Sequence, residues 1–143
     1  MMFEKILSMM PHKPPMLLID RILDATDSTV RCESVVQMDN IFFRDGGIGS
    51  WIGIEYMAQA IGAHAAIVNH KLNRKNEIGY LLSVRRYDCA TTRFVEGDVL
   101  QISAEQKFLD AQGLASYCCE LFLNGKSIST SDITVFQPVQ ENK

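Results

Sequence analysis

The chain has 143 residues, with 17 acidic and 14 basic side chains, a formal net charge of −3 and 47% hydrophobic residues. A chain of this length buries about 70% of its unfolded surface, so it needs no disulfide or metal to stabilise a core, and we interpret residues 1–143 as one domain. No excess of basic residues is present to neutralise phosphates. We therefore expect neither nucleic acid nor membrane as a partner.

The first ten residues carry Glu4 and Lys5 among apolar side chains, and no cleavage pattern of small residues follows. We expect no leader and a cytoplasmic protein. The cysteines are Cys32, Cys89 and the neighbours Cys118 and Cys119, which form no CxxC pair. Neighbours on a strand face opposite sides of a sheet, so we predict small buried side chains and no metal site.

The N-terminal third predicts a pair of strands, Leu17 to Ala25 and Thr29 to Met38, separated by a polar turn. The stretch from Trp51 to His70 has one formal charge, Glu55, among mostly apolar residues. It predicts a helix that is buried on all sides. A membrane span is rejected, because a carboxylate, an amide, a histidine and glycines are poor lipid-facing groups.

The C-terminal half favours strands. Ile78 to Tyr87 predicts one strand, and alternating apolar residues predict two more, starting near Leu100 and Ala115. Asn124–Gly125 and Asp110 to Gly113 are typical hairpin turns. A last strand follows Asn124–Gly125, beginning at Lys126, and Pro138 closes it. About six strands and one long helix indicate an α+β domain with a curved antiparallel sheet around the helix. An unpaired sheet edge would remain, so we expect a homodimer or higher oligomer.

Glu55 is the leading candidate for a functional residue, because burying an ionised carboxylate costs several kcal/mol unless it is paired. Gln59 follows at i+4 on the same helix face, where its amide is able to orient the carboxylate. A second interpretation stays open at this point. A glutamate in the first turn is also a common partner of free backbone N–H groups.

The three histidines differ in their possible approach to Glu55. His64 is nine residues further along, about 900° of helix rotation, which places it on the opposite face. His70 lies about 22 Å along the axis. His12 remains, in the proline-rich segment Pro11–Pro15, where the prolines restrict the backbone. A histidine in such a segment is also compatible with a purely structural role.

Glycines precede the helix at Gly46, Gly47 and Gly49, but the spacing does not match GxGxxG and no βαβ pattern surrounds them. Ser50 lacks the flanking glycines of a nucleophile elbow and is predicted to be the helix N-cap. Free N–H groups at the start of the helix are suited to polarise a carbonyl oxygen.

The motifs Pro11–Arg21 and Gly53–Ala60 resemble those of the hotdog-fold 3-hydroxyacyl-ACP dehydratases. Three further motifs, Gly79–Tyr87, Glu96–Asp98 and Val135–Pro138, resemble those of the aryl-polyene, or ApeP-like, branch of that family. The resemblance implies a hotdog fold, a site at a subunit interface and an acyl group delivered on the phosphopantetheine of an acyl carrier protein, with no resident cofactor.

The resemblance also implies that Glu55 is the helix carboxylate, and that Ser50 and Trp51 lend N–H groups to the thioester carbonyl. In mainstream members a histidine of a His-Phe-Pro-Gly loop in the other subunit works with this carboxylate. The present chain has no histidine between Phe43 and Glu55. We therefore propose His12 as the substitute base, with Gln59 as a further substrate-binding residue.

Three hypotheses follow. The first is a dehydratase that converts a 3-hydroxyacyl thioester to the trans-2-enoyl thioester. The second is a thioesterase of the same fold, which needs a helix carboxylate and no histidine. The third is a weakly active subunit that completes a heterodimer with another hotdog protein. Three basic residues, Arg85, Arg86 and Arg93, are candidates for contact with the carrier protein, although charges on strands more often simply face solvent.

Overall fold

One long helix packs against a six-stranded antiparallel sheet in the computed structural model, which describes residues 3–76 and 79–138. The elements are α1 (Phe3–Met9), β1 (Arg21–Ala25), β2 (Thr29–Val35), β3 (Gly47–Gly49), a 3-10 turn (Ser50–Ile52), α2 (Gly53–Lys71), β4 (Tyr80–Arg85), β5 (Arg93–Val95), β6 (Val99–Leu109), β7 (Leu114–Leu123) and β8 (Lys126–Phe136).

The strands of the large sheet lie in the order β1-β2-β6-β7-β8-β4, and every neighbouring pair is antiparallel. The strands β6 and β7 alternate between buried and less buried residues, because successive side chains point to opposite faces. The buried set faces α2 and forms the core. The predicted α+β hotdog architecture, with its N-terminal strand pair and C-terminal meander, is confirmed.

The helix α2 has ten buried residues, but it is not buried on all sides as predicted, because the face that carries Glu55, Ala58, Gly62 and Ala65 is only partly buried. It begins at Gly53 and ends at Lys71, whereas Trp51 to His70 was predicted. The difference at the start arises because Ser50–Ile52 form a 3-10 turn that leads into the α-helix. In the described part of the chain, no helix combines the length and hydropathy that a membrane crossing requires.

Three elements besides the 3-10 turn were not predicted, the helix α1 and the strands β3 and β5. The helix α1 has seven residues and only one of them, Ile6, is buried, so its periodic signal is too short to recognise. The strands β3 and β5 have three residues each and form a separate two-stranded ribbon. Gly47 and Gly49 therefore belong to this ribbon, and Gly46 belongs to the turn before it, so these glycines do not form a nucleotide-binding loop.

Strand boundaries also differ from the predicted ones. The first strand begins at Arg21 instead of Leu17, and the second ends at Val35 instead of Met38. The strand predicted from Ile78 to Tyr87 is observed over Tyr80–Arg85. Ile78 lies outside the described residues.

All four cysteines are free. Cys32 and Cys119 are buried, and burial raises the pKa of each thiol to about 12. Cys89 and Cys118 are only partly buried, so the prediction of a buried side chain is wrong for these two, because Cys118 faces away from the core side that Cys119 occupies. Among residues 3–76 and 79–138 no cluster of side chains is arranged to hold a metal.

Candidate active site

His12 and Glu55 lie side by side in one chain. Glu55 belongs to the first turn of α2, and His12 to the segment between α1 and β1. The distance from His12 Nε2 to Glu55 Oε1 is 3.7 Å, and the side chains are 31% and 38% exposed. Both line a cavity of about 280 Å³, the catalytic cavity, together with Pro11, Ala58 and Gly62. A titratable pair thus faces a space that is otherwise largely apolar.

Gln59 connects Glu55 on α2 to the backbone of the segment that follows His12. Its Nε2 donates to Glu55 Oε1 at 3.0 Å and to the Met16 carbonyl at 2.8 Å. Its Oε1 accepts the Leu18 N–H at 2.7 Å. Gln59 is 0% exposed and its polar atoms are bonded within the protein, and substrate binding by Gln59 stays a prediction. It positions the carboxylate and fastens the His12 segment to the helix.

The His12 segment is also ordered by its own turn. The Lys13 carbonyl accepts the N–H groups of Met16 and Leu17 at 2.7 and 3.1 Å. The Lys13 Nζ donates to the Ser8 carbonyl at 2.6 Å, at the end of α1. These bonds, with those of Gln59, hold the backbone on both sides of His12. The Nδ1 of His12 is buried and has no hydrogen-bond partner among residues 3–76 and 79–138.

Ser50 does not have the predicted roles. Its N–H already donates to the Thr92 carbonyl at 3.1 Å, so it is not a free donor for a thioester. Ser50 is not the N-cap either. The N-cap of the 3-10 turn is Gly49 and that of α2 is Ile52, and neither residue makes a capping hydrogen bond through its side chain.

Trp51 is 68% exposed and lies four residues before Glu55 in the sequence. Its ring covers Gly49, where a Cβ would come within 2.1 Å of ring atoms. Neither Trp51 nor Ser50 lines the catalytic cavity. The Trp51 N–H lies in the opening turn, where backbone N–H groups have no intrahelical acceptor.

Tyr87 is a residue that sequence reasoning missed. Its hydroxyl donates to the Ser50 carbonyl, and burial raises the pKa of Tyr87 above its usual range. It lies so close to Gly53 that a Cβ there would be 2.0 Å from the hydroxyl oxygen. The loop after β4 therefore fixes the start of α2. The pairing of Gly53 with a tyrosine 34 residues away leaves no local signal.

The first histidine of α2, His64, lies apart from this pair, as the helix rotation predicts. His64 is completely buried, with Nδ1 2.7 Å from the Tyr117 hydroxyl and Nε2 3.0 Å from the Asp27 carbonyl. Burial lowers the pKa of His64, although the Asp27 carbonyl opposes this effect. A neutral imidazole that donates from Nε2 and accepts at Nδ1 satisfies both contacts. His64 is thus part of the core polar network and not of the Glu55 pair.

The predicted basic residues are dispersed. The guanidinium of Arg93 donates to the Asp45 carbonyl, while Arg85 and Arg86 are exposed at and just beyond the end of β4. These positions do not test binding of a carrier protein, which stays a prediction for the three arginines.

The arrangement offers one acid and one base in a shared cavity. Within the described residues, the hydrogen bonds of Glu55 involve Oε1 only, through Gln59. Oε2 is consequently left for a bound molecule. A carboxyl group and an imidazole at this separation are suited to remove a proton at one carbon and protonate a leaving group at the next.

Known proteins similar to this chain share its fold and much of its length. A 3-hydroxyacyl-[acyl-carrier-protein] dehydratase FabZ from Acinetobacter baylyi is 25% identical over 138 residues, covering 92% of this chain and 91% of the relative. A FabZ from Actinobacillus pleuropneumoniae serotype 5b is 28% identical over 140 residues, covering 90% and 86%.

Solved structures are also similar to this chain over most of its length. The dehydratase heterocomplex ApeI:P from Xenorhabdus doucetiae contains a chain with a TM-score of 0.87 and 28% identity, covering 94% of this chain and 91% of that one. A hypothetical thioesterase from Streptococcus pneumoniae, with a TM-score of 0.64 and 15% identity over 85% of this chain and 90% of that one, shares the fold alone. The ApeP-like family, described as ApeP dehydratase, matches residues 4–143, and the chain belongs to this family.

Proposed function

We propose that this chain removes water from a 3-hydroxyacyl thioester, carried on the phosphopantetheine of an acyl carrier protein in the cytoplasm, to give the trans-2-enoyl thioester. The observation that carries the proposal is the 3.7 Å approach of His12 to Glu55 in a mostly apolar cavity. It supplies an acid and a base from a single chain. The proposal also draws on the dehydratase names of the family and of its relatives.

His12 acts as the base in the proposed reaction. Its Nε2 takes a proton from C2 of the acyl group, and the electron pair of that C–H bond forms the C2–C3 double bond. The hydroxyl leaves C3 with a proton from Glu55, so that water is released. The products are the enoyl thioester, a protonated His12 and an ionised Glu55. Proton return from His12 to Glu55, across the short gap between them, restores the starting state.

Gln59 determines which oxygen of Glu55 carries the acid proton. Its N–H donates to Oε1, and a protonated carboxyl group donates from the oxygen that is not accepting this bond. The proton that leaves with water is therefore assigned to Oε2. The role of Gln59 in the proposed reaction is to keep the carboxyl group in this orientation.

The thioester carbonyl is assigned to the N–H of Trp51. Polarising this oxygen acidifies C2, and a helix start concentrates N–H groups without intrahelical acceptors. Since the Ser50 N–H is occupied by Thr92, Trp51 is the remaining donor of the pair that the sequence predicted. The exposed indole then lies near the entrance, where the pantetheine arm arrives.

A second hotdog chain completes the site in this proposal. Tyr80 and Leu81 line the catalytic cavity, yet they belong to the unpaired edge strand β4 and are 57% and 48% exposed. The opposite edge, β1, is instead protected by charged pairs, Arg21 with Glu33 and Asp24 with Arg31. An apolar edge beside the cavity is suited to pair with another sheet. The ApeI:P protein is a heterocomplex, which makes a related but different chain one candidate partner besides a second copy.

Mass spectrometry of the carrier protein tests the proposed reaction. The purified protein is incubated with a 3-hydroxyacyl carrier protein, alone and after co-expression with a second hotdog dehydratase. The proposal predicts that the acyl carrier protein loses the mass of one water while the thioester stays intact. Release of the free acid would instead establish a thioesterase. Turnover that appears only with the co-expressed chain, and is unaffected by loss of His12 here, would assign this chain a supporting role.

A further inference from the structure

Two serines on β8, Ser129 and Ser131, are buried, and the proposed reaction uses neither of them. They lie two residues apart on a strand, so their side chains share one face of the sheet. The Ser131 hydroxyl donates to the Arg85 carbonyl at 2.8 Å, and the Ser129 hydroxyl donates to the Asp88 carbonyl at 2.7 Å. These two bonds hold the backbone on both sides of Tyr87, in the loop after β4.

The backbone of this loop turns sharply between the two bonds. Arg86 has a φ of 61°, in the left-handed region that residues other than glycine seldom occupy. Arg86 is exposed, whereas Tyr87 beside it is partly buried and packs against the hydrophobic core. The Ala90 N–H then donates to the Ile128 carbonyl at 2.9 Å and ties the far end of the loop to β8. The loop therefore directs the Tyr87 side chain into the protein and holds it there.

The Tyr87 hydroxyl contacts the peptide group that joins Ser50 to Trp51. It donates to the Ser50 carbonyl, and the Trp51 N–H belongs to the same peptide group. Because this group is planar and trans, its carbonyl and its N–H point in opposite directions from one rigid unit. A donor that holds the Ser50 carbonyl consequently also determines the direction of the Trp51 N–H.

The Ser50 carbonyl accepts two hydrogen bonds, one from Tyr87 and one from the Gly53 N–H at the end of the 3-10 turn. Hydrogen bonds in series polarise one another, by about 10–30% per bond, so donors on the carbonyl make the N–H of the same peptide group a stronger donor. Burial raises the pKa of Tyr87, so the phenol keeps its proton and stays a donor. Gly53 leaves space for this hydroxyl, because a Cβ there would lie 2.0 Å from its oxygen.

We propose that Tyr87 is a positioning residue for the dehydration, because its hydroxyl orients and polarises the peptide group between Ser50 and Trp51. The inference rests on the proposed function, which assigns the thioester carbonyl to the Trp51 N–H. As the C2 proton leaves, negative charge develops on the thioester oxygen, and the polarised N–H stabilises that charge. Tyr87 itself keeps its proton throughout and does not touch the substrate. Ser129 and Ser131 hold the loop that makes this contact.

Kinetics of Tyr87→Phe, which keeps the ring and removes the hydroxyl, test this role. We expect kcat for enoyl formation to fall by about tenfold, less than the roughly 100-fold or more caused by loss of an oxyanion donor, because the Trp51 N–H remains. KM changes by less than about twofold, since the lost effect belongs to the transition state. Tyr117→Phe is the matched control. It removes another buried hydroxyl, bonded to His64 and Gln106, and keeps the wild-type kcat.

The infrared band of a bound thioester carbonyl gives a readout that needs no turnover. The probe is a saturated acyl-pantetheine that is isotopically labelled at the thioester carbon, which lacks the 3-hydroxyl group and so cannot be dehydrated. We expect the wild-type complex to shift the carbonyl band to lower wavenumber than in water, because the N–H polarises the carbonyl. Tyr87→Phe reduces this shift, whereas Tyr117→Phe retains it. A purely structural role for Tyr87 would leave the band of a folded variant in place.

Replacing Tyr87 by 3-fluorotyrosine tests the same contact in the opposite direction. The fluorinated phenol has a similar shape and is a stronger hydrogen-bond donor, so the band should move to lower wavenumber than in wild type. This protein decides the question if Tyr87→Phe does not fold, as judged by circular dichroism. Equal bands in wild type and in the folded variants overturn the inference, and so does an unshifted band in wild type. If wild type shifts the band but forms no enoyl product, the proposed reaction fails, while the comparison of bands still decides the role of Tyr87.

Discussion

The pairing of His12 with Glu55 depends on Gln59, which is fully buried and does not line the catalytic cavity. Gln59 bonds the carboxylate and two backbone groups of residues 16–18, so the acid and the segment bearing the base are held by one buried amide. The i+4 spacing from Glu55 predicts the first of these bonds. The other two join positions more than 40 residues apart and need the tertiary structure to be seen.

Replacing the proposed base tests its role at the residue scale. His12→Gln keeps a polar side chain of similar reach but removes the titrating imidazole. We expect kcat for enoyl formation to fall by about 100-fold or more, the range of general acid–base catalysis, with KM changed little. The rate is measured by mass spectrometry of the carrier protein. His70→Gln, at an exposed position on the same chain, serves as the control and retains wild-type activity. If both variants behave alike, His12 is structural.

His64 predicts a pH dependence of stability. Burial lowers the pKa of His64 in the folded protein below its ordinary value of 6.5, so the unfolded chain binds a proton more readily than the folded one. The stability that His64 contributes is present above about pH 6.5 and is lost as the pH falls below it. Urea unfolding at pH 7.5 and 5.5 checks this. His64→Asn, which does not titrate, should show a smaller loss between these two pH values. An equal loss would exclude His64 as the cause.

At the scale of elements, the start of α2 depends on Tyr87, whose hydroxyl donates to the Ser50 carbonyl from the loop after β4. Residue composition predicts this helix, because the twenty residues from Trp51 to His70 carry a single formal charge and so lack the charged face of a surface helix. Its exact start was not predictable, since the 3-10 turn depends on Ser50 being bonded to Thr92 and Tyr87. Likewise, strand alternation predicts β6 and β7, whereas the three-residue strands of the ribbon are too short to carry a pattern.

The close approach at the start of α2 makes Gly53 sensitive to substitution. A Cβ there would lie 2.0 Å from the Tyr87 hydroxyl oxygen and 3.0 Å from its ring carbon. Gly53→Ala should destabilise the fold by about 1–3 kcal/mol, the usual cost of overpacking, and lower the Tm. Because Tyr87→Phe removes the clashing oxygen, the double variant should lose less than the sum of the two single variants. Strict additivity of the two losses would mean that these residues are not in contact.

At the scale of the whole molecule, the two sheet edges differ. Charged pairs protect β1, while Tyr80, Leu81 and Leu82 leave β4 apolar on both faces. The period-two pattern predicts the strands and hence that an edge exists. It does not identify which edge is exposed, because strand order depends on the nonlocal pairing of β4 with β8.

A charge on β4 tests whether this edge is an interface. Leu82→Lys should convert an oligomer, or a co-purified heteromer, to a species of lower mass, because a buried unpaired ammonium is costly. Light scattering after size exclusion measures the change. Met38→Lys places the same charge on another exposed apolar residue and should leave the mass unaltered. A wild-type chain that is monomeric and gains no partner on co-expression would contradict an interface at β4.

The proposed reaction requires Glu55 of this chain to donate the proton that leaves with water. Glu55→Gln keeps the shape of the side chain and removes the acid. In the mass-spectrometric assay with a 3-hydroxyacyl carrier protein, we expect wild type to convert the substrate to the enoyl product. The variant should show no conversion above background, while its circular dichroism spectrum and oligomeric state match wild type. Wild-type turnover by a folded Glu55→Gln protein would contradict the mechanism and remove Glu55 from it.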